Sequence, residues 1–165
     1  GGVGRFAVQL ARRGGAEVTG IASAERTDAV RRLGADATVR SADESDGEFD
    51  LILESVGGPS LASAIDRIAP GGVIVSIGNS SERETTFDPR ALYRKNGATI
   101  HGLLIFDDVD SGRIGPRELR YLLELVETGE LETSIGLQLG WSEFGVAIER
   151  LRDRAIEGKA VLKIG

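Results

Sequence analysis

Val3, Ala7, Leu10 and Ala11 recur at i, i+4, i+7 and i+8, so the chain opens on an amphipathic helix that Gly14-Gly15 ends. Residues 17–22 then read as a short strand. A second helix starts at Ser23, whose hydroxyl suits an N-cap, and stops at Gly34. Residues 37–40 make a brief strand. The run Phe49-Asp50-Leu51-Ile52-Leu53-Glu54 makes a better one, with the continuous apolar centre of a buried parallel strand. Leu61, Ile65 and Ile68 mark a third helix, stopped by Pro70-Gly71-Gly72, and residues 73–77 form the clearest buried strand. A short helix at 89–95, a strand at 98–105, helices around Leu119–Val126 and Phe144–Leu151, and a terminal strand at 160–164 complete the pattern.

Strands alternating with helices of roughly ten residues predict βαβ units, a parallel sheet and helices on both faces. At 165 residues the chain has room for one domain. No apolar run is long enough to span a bilayer, and the lack of Cys suits a reducing cytoplasm. The net charge of -6 argues against general nucleic-acid binding, which needs a basic stripe, but not against a locally bound phosphate.

Three places carry candidate chemistry. Gly1-Gly2-Val3-Gly4 precedes the first helix, and glycines there permit a tight bend and close approach of backbone amides to a pyrophosphate. A plain glycine-rich leader reads the same way. About 20 residues on, where an acid would hold the ribose 2′-hydroxyl of NAD, stands Ala22, followed by Ser23 and Arg26. Space, a hydroxyl and a cation suit the 2′-phosphate of NADP, and Arg40 offers a second cation. Glu25 points the other way, and Ser23 has its alternative as a cap. The third place is the pair of strand ends Glu54-Ser55-Val56-Gly57-Gly58 and Ser76-Ile77-Gly78-Asn79, where glycine leaves room for a flat ring or merely serves a turn. No Gly-Lys-Ser/Thr follows the first glycines, which excludes a P-loop. With no Cys and one His, no zinc site is expected. His101 and Trp141 read as packing residues.

Taken in order, Gly1-Gly2-Val3-Gly4, Gln9-Leu10-Ala11, Leu33-Gly34-Ala35-Asp36, the run from Asp50 to Gly58, Pro70-Gly71-Gly72 and Gly158-Lys159-Ala160-Val161-Leu162 closely resemble one family. It is the cofactor half of the zinc-independent, quinone oxidoreductase-like medium-chain dehydrogenases/reductases. The resemblance implies an α/β fold, a Rossmann-type doubly wound parallel sheet, here lacking its first strand. It implies an NADP(H)-binding domain over 1–165, with 136–165 returning toward a GroES-like domain that would lie before residue 1. It implies NADPH-dependent reduction of a quinone, enone or similar small molecule. Gly1, Gly2 and Val3 would face the pyrophosphate, Ser23 and Arg26 the adenosine phosphate, and Gly57 and Gly78 the cofactor's flank. Leu103, Leu104 and Ile105 would lie near the nicotinamide, Arg154 would reach the cofactor, and residues 98–105 would pair in a homodimer. Without the first strand, the second and fourth strands keep unpaired edges, a gap expected to be partly repaired. An S-adenosylmethionine-dependent methyltransferase and a non-catalytic nucleotide-binding module remain as alternative readings.

Overall fold

The computed structural model describes all 165 residues. In chain order the elements are α1 (Gly2–Arg13), β1 (Thr19–Ile21), α2 (Thr27–Arg32), β2 (Ala37–Val39), β3 (Phe49–Glu54), α3 (Gly58–Arg67) and β4 (Ile68–Ser76). There follow α4 (Pro89–Tyr93), β5 (Thr99–Gly102), α5 (Ile105–Asp110), α6 (Pro116–Glu127), β6 (Ile135–Gly140), α7 (Phe144–Arg152) and β7 (Lys159–Lys163). α1 ends as its glycines require: the Gly14 amide donates to Leu10, Gly15 takes φ 84°, and Arg12 and Arg13 sit at the negative end of the helix dipole.

Every strand pairing is parallel. The ladders are three: β1 with β2, β3-β4-β5 in that order, and β6 with β7. In a dinucleotide fold ordered 3-2-1-4-5-6, these first two ladders are strands 3-2 and 4-5-6, with a break at the position of strand 1. The expected repair is not found: the terminal strand β7 pairs with β6, and no strand lies between the edges of β1 and β3. Apolar side chains along those edges are correspondingly open, Leu51 at 64% and Ile21 at 56%. The whole chain exposes 11268 Å², against roughly 7,900 Å² for a compact monomer of its mass. The core is accordingly small. Ala64 and Ile65 of α3 pack on Ile68 and Ile74 of β4, flanked by Ile52, Leu61, Ala91, Leu92 and Ala98.

Several expectations need correction. α3 stops at Arg67, before Pro70, and β4 begins at Ile68 and runs through Pro70-Gly71-Gly72 with a register shift against β3. The strand expected over 98–105 ends at Gly102, because Leu104 begins α5, whose first turn carries Asp107 and Asp108 at the positive end of the dipole. Ile105 is therefore helical. β6 was not anticipated at all. His101 lies exposed on β5, an edge strand, and is no core residue. Trp141 stacks on Phe144 with ring centroids 5.6 Å apart, but is 58% exposed.

α1 is tied to the far end of the chain by one side chain. The Gln9 amide nitrogen donates to the Glu132 carbonyl at 3.1 Å, and the Glu132 amide donates to Gln9 Oε1 at 2.7 Å. Arg13 with Glu130 adds an ion pair on the same face. Gln9→Ala removes both bonds and should lower unfolding free energy by about 1–2 kcal/mol in a urea titration.

Candidate functional site

Each predicted site residue up to Leu103, apart from the α1 opening, follows the carboxyl end of a parallel strand, the side on which open α/β sheets bind ligands. Gly1 is the N-cap of α1 and accepts the Arg5 amide, while Gly1 and Gly4 have open space where a Cβ would point. Gly2 does not. The Lys159 ammonium lies 2.6 Å from where its Cβ would stand, so a side chain there would have to displace that cation. Arg5, on the first turn of α1, adds a second cation. One acid answers these cations. Glu157 accepts from Arg5 Nη2 at 2.8 Å, with Arg32 at 3.8 Å. The Arg5 hydrogen bond, ahead of the neighbouring charges, keeps its carboxyl below the usual range.

A groove of about 360 Å³ adjoins the ends of β1 and β2, lined by Ala22, Ser23, Ala24, Glu25 and Arg40. Ser23 precedes a 3-10 turn over Ala24–Arg26 but makes no capping bond, contrary to its expected role. Glu25's own amide, then the Ser23 hydroxyl, hold that carboxyl below its ordinary value, with smaller help from Arg40 and Arg26. Of the two candidate cations, Arg40 lines the groove, and Arg26 ends the 3-10 turn just after Ser23.

The turns after β3 and β4 interlock. The Ile77 amide donates to Glu54 at 2.8 Å, Ser80 to Ser55 at 3.2 Å and Ser81 to Val56 at 2.9 Å. Gly57, at φ 74° and ψ -166°, occupies a region that essentially only glycine enters, and its missing Cβ would sit 2.1 Å from Asn79 Oδ1. Gly78 is held nearly as closely, a Cβ there lying 3.2 Å from the Ser55 carbonyl. Val56 is exposed and Gly57 buried.

Leu103 donates its amide to Ser76 and is half-buried, whereas Leu104 and Ile105 are exposed at the start of α5. Arg154 follows α7 in the left-handed region at φ 56°, exposed. Its side chain forms neither an ion pair nor a hydrogen bond, and nothing brings it together with the residues above.

Residues 2–128 match the family described as zinc-binding dehydrogenase. The chain belongs to that family. Within it, the chain is a quinone reductase-like medium-chain dehydrogenase/reductase, present as part of the cofactor-binding region, and the methyltransferase alternative falls away. It is 34% identical over 137 residues to the mycoketide-CoA synthase of Mycobacterium tuberculosis (strain ATCC 25618 / H37Rv), a match covering 76% of this chain and 3% of that protein. It is 27% identical over 177 residues to a quinone oxidoreductase of Pseudomonas aeruginosa PAO1, covering 98% of this chain and 53% of the relative. Among solved structures, AibC superposes with a TM-score of 0.86 at 27% identity, covering 100% of this chain and 47% of that one. The chain therefore spans about half the length of the quinone oxidoreductase it matches. Despite the family's description, no three His, Asp or Glu side chains of this chain converge as a metal site would need, and it has no Cys. No helix is long and apolar enough to cross a membrane.

Sequence reasoning missed Arg5, Lys159, Glu157 and Glu54. Lys159 lay inside a quoted motif, but nothing in its spacing says that β7 delivers it onto Gly2. Glu54 closes an apolar strand, and its burial depends on a partner, Ser60, that periodicity does not reveal.

Proposed function

We propose that this chain is the NADP(H)-binding part of a zinc-independent reductase that passes hydride to a quinone, enone or similar carbonyl-conjugated substrate in the cytoplasm. One observation carries the reading. In a protein of net charge -6, Arg5 and Lys159 stand at a glycine-opened helix start, with Glu157 as the counter-charge of Arg5. That fits a diphosphate: amides point outward at a positive dipole end, glycines admit close approach, and cations stand beside it. The Ser23–Arg40 groove fits an adenosine 2′-phosphate, which favours NADPH over NADH. The quinone oxidoreductase relative supports the substrate class.

Bound NADPH supplies the hydride, and the chain's own residues bind and orient it. The α1 start takes the diphosphate. Ser23, Arg26 and Arg40 hold the adenosine end, the turns at Val56-Gly57 and Gly78 flank the cofactor, Leu103, Leu104 and Ile105 serve the nicotinamide side, and Arg154 reaches the cofactor separately. Positioning is the catalytic contribution, and no proton donor is assigned. Residues 136–165 return toward a GroES-like domain that forms the other wall of the substrate cleft. Of the strand expected to pair in a homodimer, Thr99–Gly102 is extended and has a free edge. A monomeric sedimentation profile would exclude that contact.

Fluorescence titration tests the reading directly. The folded chain should bind NADPH saturably and more tightly than NADH, and the whole protein carrying it should oxidise NADPH when given a quinone. A chain with dispersed amide resonances and no saturable NADPH binding would end the proposal. NADPH binding without turnover on quinones or enones would favour the non-catalytic nucleotide-binding module.

A further inference from the structure

Two helices of eight residues or more, α1 and α3, begin just beyond glycines on the ligand side of the fold, and physics alone makes both attractive to anions. They are not equivalent. Just ahead of α3, against its N-cap Gly57, stands a carboxylate of the chain itself. Glu54, only 4% exposed, accepts the Val56 amide at 2.9 Å and the Ser60 hydroxyl at 2.8 Å on Oε1, and the Gly57 amide at 3.0 Å on Oε2. No ion pair accompanies it; these three donors are its partners. The consequence reaches the neighbouring turn. With Val56 and Gly57 fixed, the Val56 carbonyl meets the Ser81 amide, and Gly57 lies against Asn79.

We propose that Glu54 is a positioning residue of the dinucleotide cleft, an internal anion that fills the start of α3. It closes that helix to phosphate and shapes the 55–58 turn, so an incoming diphosphate is directed to α1. The Val56 and Gly57 amides are then unavailable to the cofactor, and this turn meets it through shape and carbonyl groups. Where the ligand goes rests on the proposed dinucleotide reading; the role of Glu54 at α3 does not.

The test titrates inorganic pyrophosphate into the ¹⁵N-labelled chain and into Glu54→Gln and Glu54→Asp. In the unaltered chain the amides of residues 2–5 should shift saturably and those of 56 and 57 should not. Glu54→Gln, isosteric but neutral, should add a pyrophosphate response at 56 and 57 and weaken NADPH binding about tenfold. Glu54→Asp keeps the charge and should show no new response. A packing role alone would give Glu54→Gln no new anion affinity, so silence at 56 and 57 in that variant overturns the proposal. Should the variant fail to fold, hydrogen exchange on the unaltered chain decides: the Val56 amide, on an exposed residue, should exchange slowly, and fast exchange overturns it. If the unaltered chain binds no NADPH while Glu54→Gln gains the response, the proposed function fails and the role of Glu54 stands.

Discussion

Gly158→Ala should lower the melting temperature by roughly 10 °C or more, the largest effect expected of any methyl added to this chain. Gly158 sits at φ 106°, and a Cβ there would lie 1.8 Å from the Ser134 carbonyl oxygen, a backbone atom that cannot swing aside. That same carbonyl accepts the Lys159 amide at 2.8 Å, the bond that starts the β6–β7 ladder. Gly136, opposite, is similarly pinned, its Cβ position lying 2.1 Å from the Glu157 carbonyl. Backbone strain and overpacking together give about 4 kcal/mol or more. The loss should also reach the ligand, since Lys159 and Glu157 are carried into place by this crossing. Gly15→Ala is the control: φ is 84° but nothing lies within 4 Å, so only the left-handed strain of about 1–2 kcal/mol is expected. Calorimetry on the two variants separates contact from conformation, and equal losses would contradict the argument.

Replacing Arg26 and Arg40 together with alanine should raise the NADPH dissociation constant about 30-fold or more and change that for NADH by less than about threefold. The difference arises because both cations address a phosphate that NADH lacks. Glu25 works against them. Glu25 lines the same groove as Arg40, so Glu25→Gln should strengthen NADPH binding by about two- to threefold. Parallel titrations with both dinucleotides measure each effect. A uniform loss for NADPH and NADH in the double variant would move these arginines from the 2′-phosphate to the diphosphate.

Much of this fold was legible because apolar spacing marks helices and apolar runs mark strands, even where this chain leaves those residues open. α1 showed its helical spacing from Val3 to Ala11, and β3 matched the apolar run from Phe49 to Glu54 residue for residue. The misses have physical causes. Ile135, Leu137 and Leu139 alternate with Gly136, Gln138 and Gly140, the period of a half-buried strand, which the two glycines weaken; partnership with β7 makes it one. The apolar run from Leu103 to Phe106 looked like a continuing strand, but Asp107 and Asp108 favour a helix start, and Asp108 is then held by Arg113 at 2.6 Å. In the site, glycines and cations near strand ends could be named from sequence. Which cation faces which end could not, because Lys159 and Glu157 meet residues 2 and 5 only through tertiary contact. Ser23 precedes its 3-10 turn without the capping bond its position suggests.

Amide shift mapping of the chain with NADPH tests the central assignment most directly. Saturable shifts should concentrate at Gly2, Val3 and Gly4 and at Ser23, Arg26 and Arg40, with smaller ones at Gly78. Saturable binding that leaves residues 2–4 unmoved, or that perturbs the opposite end of the sheet instead, would contradict it.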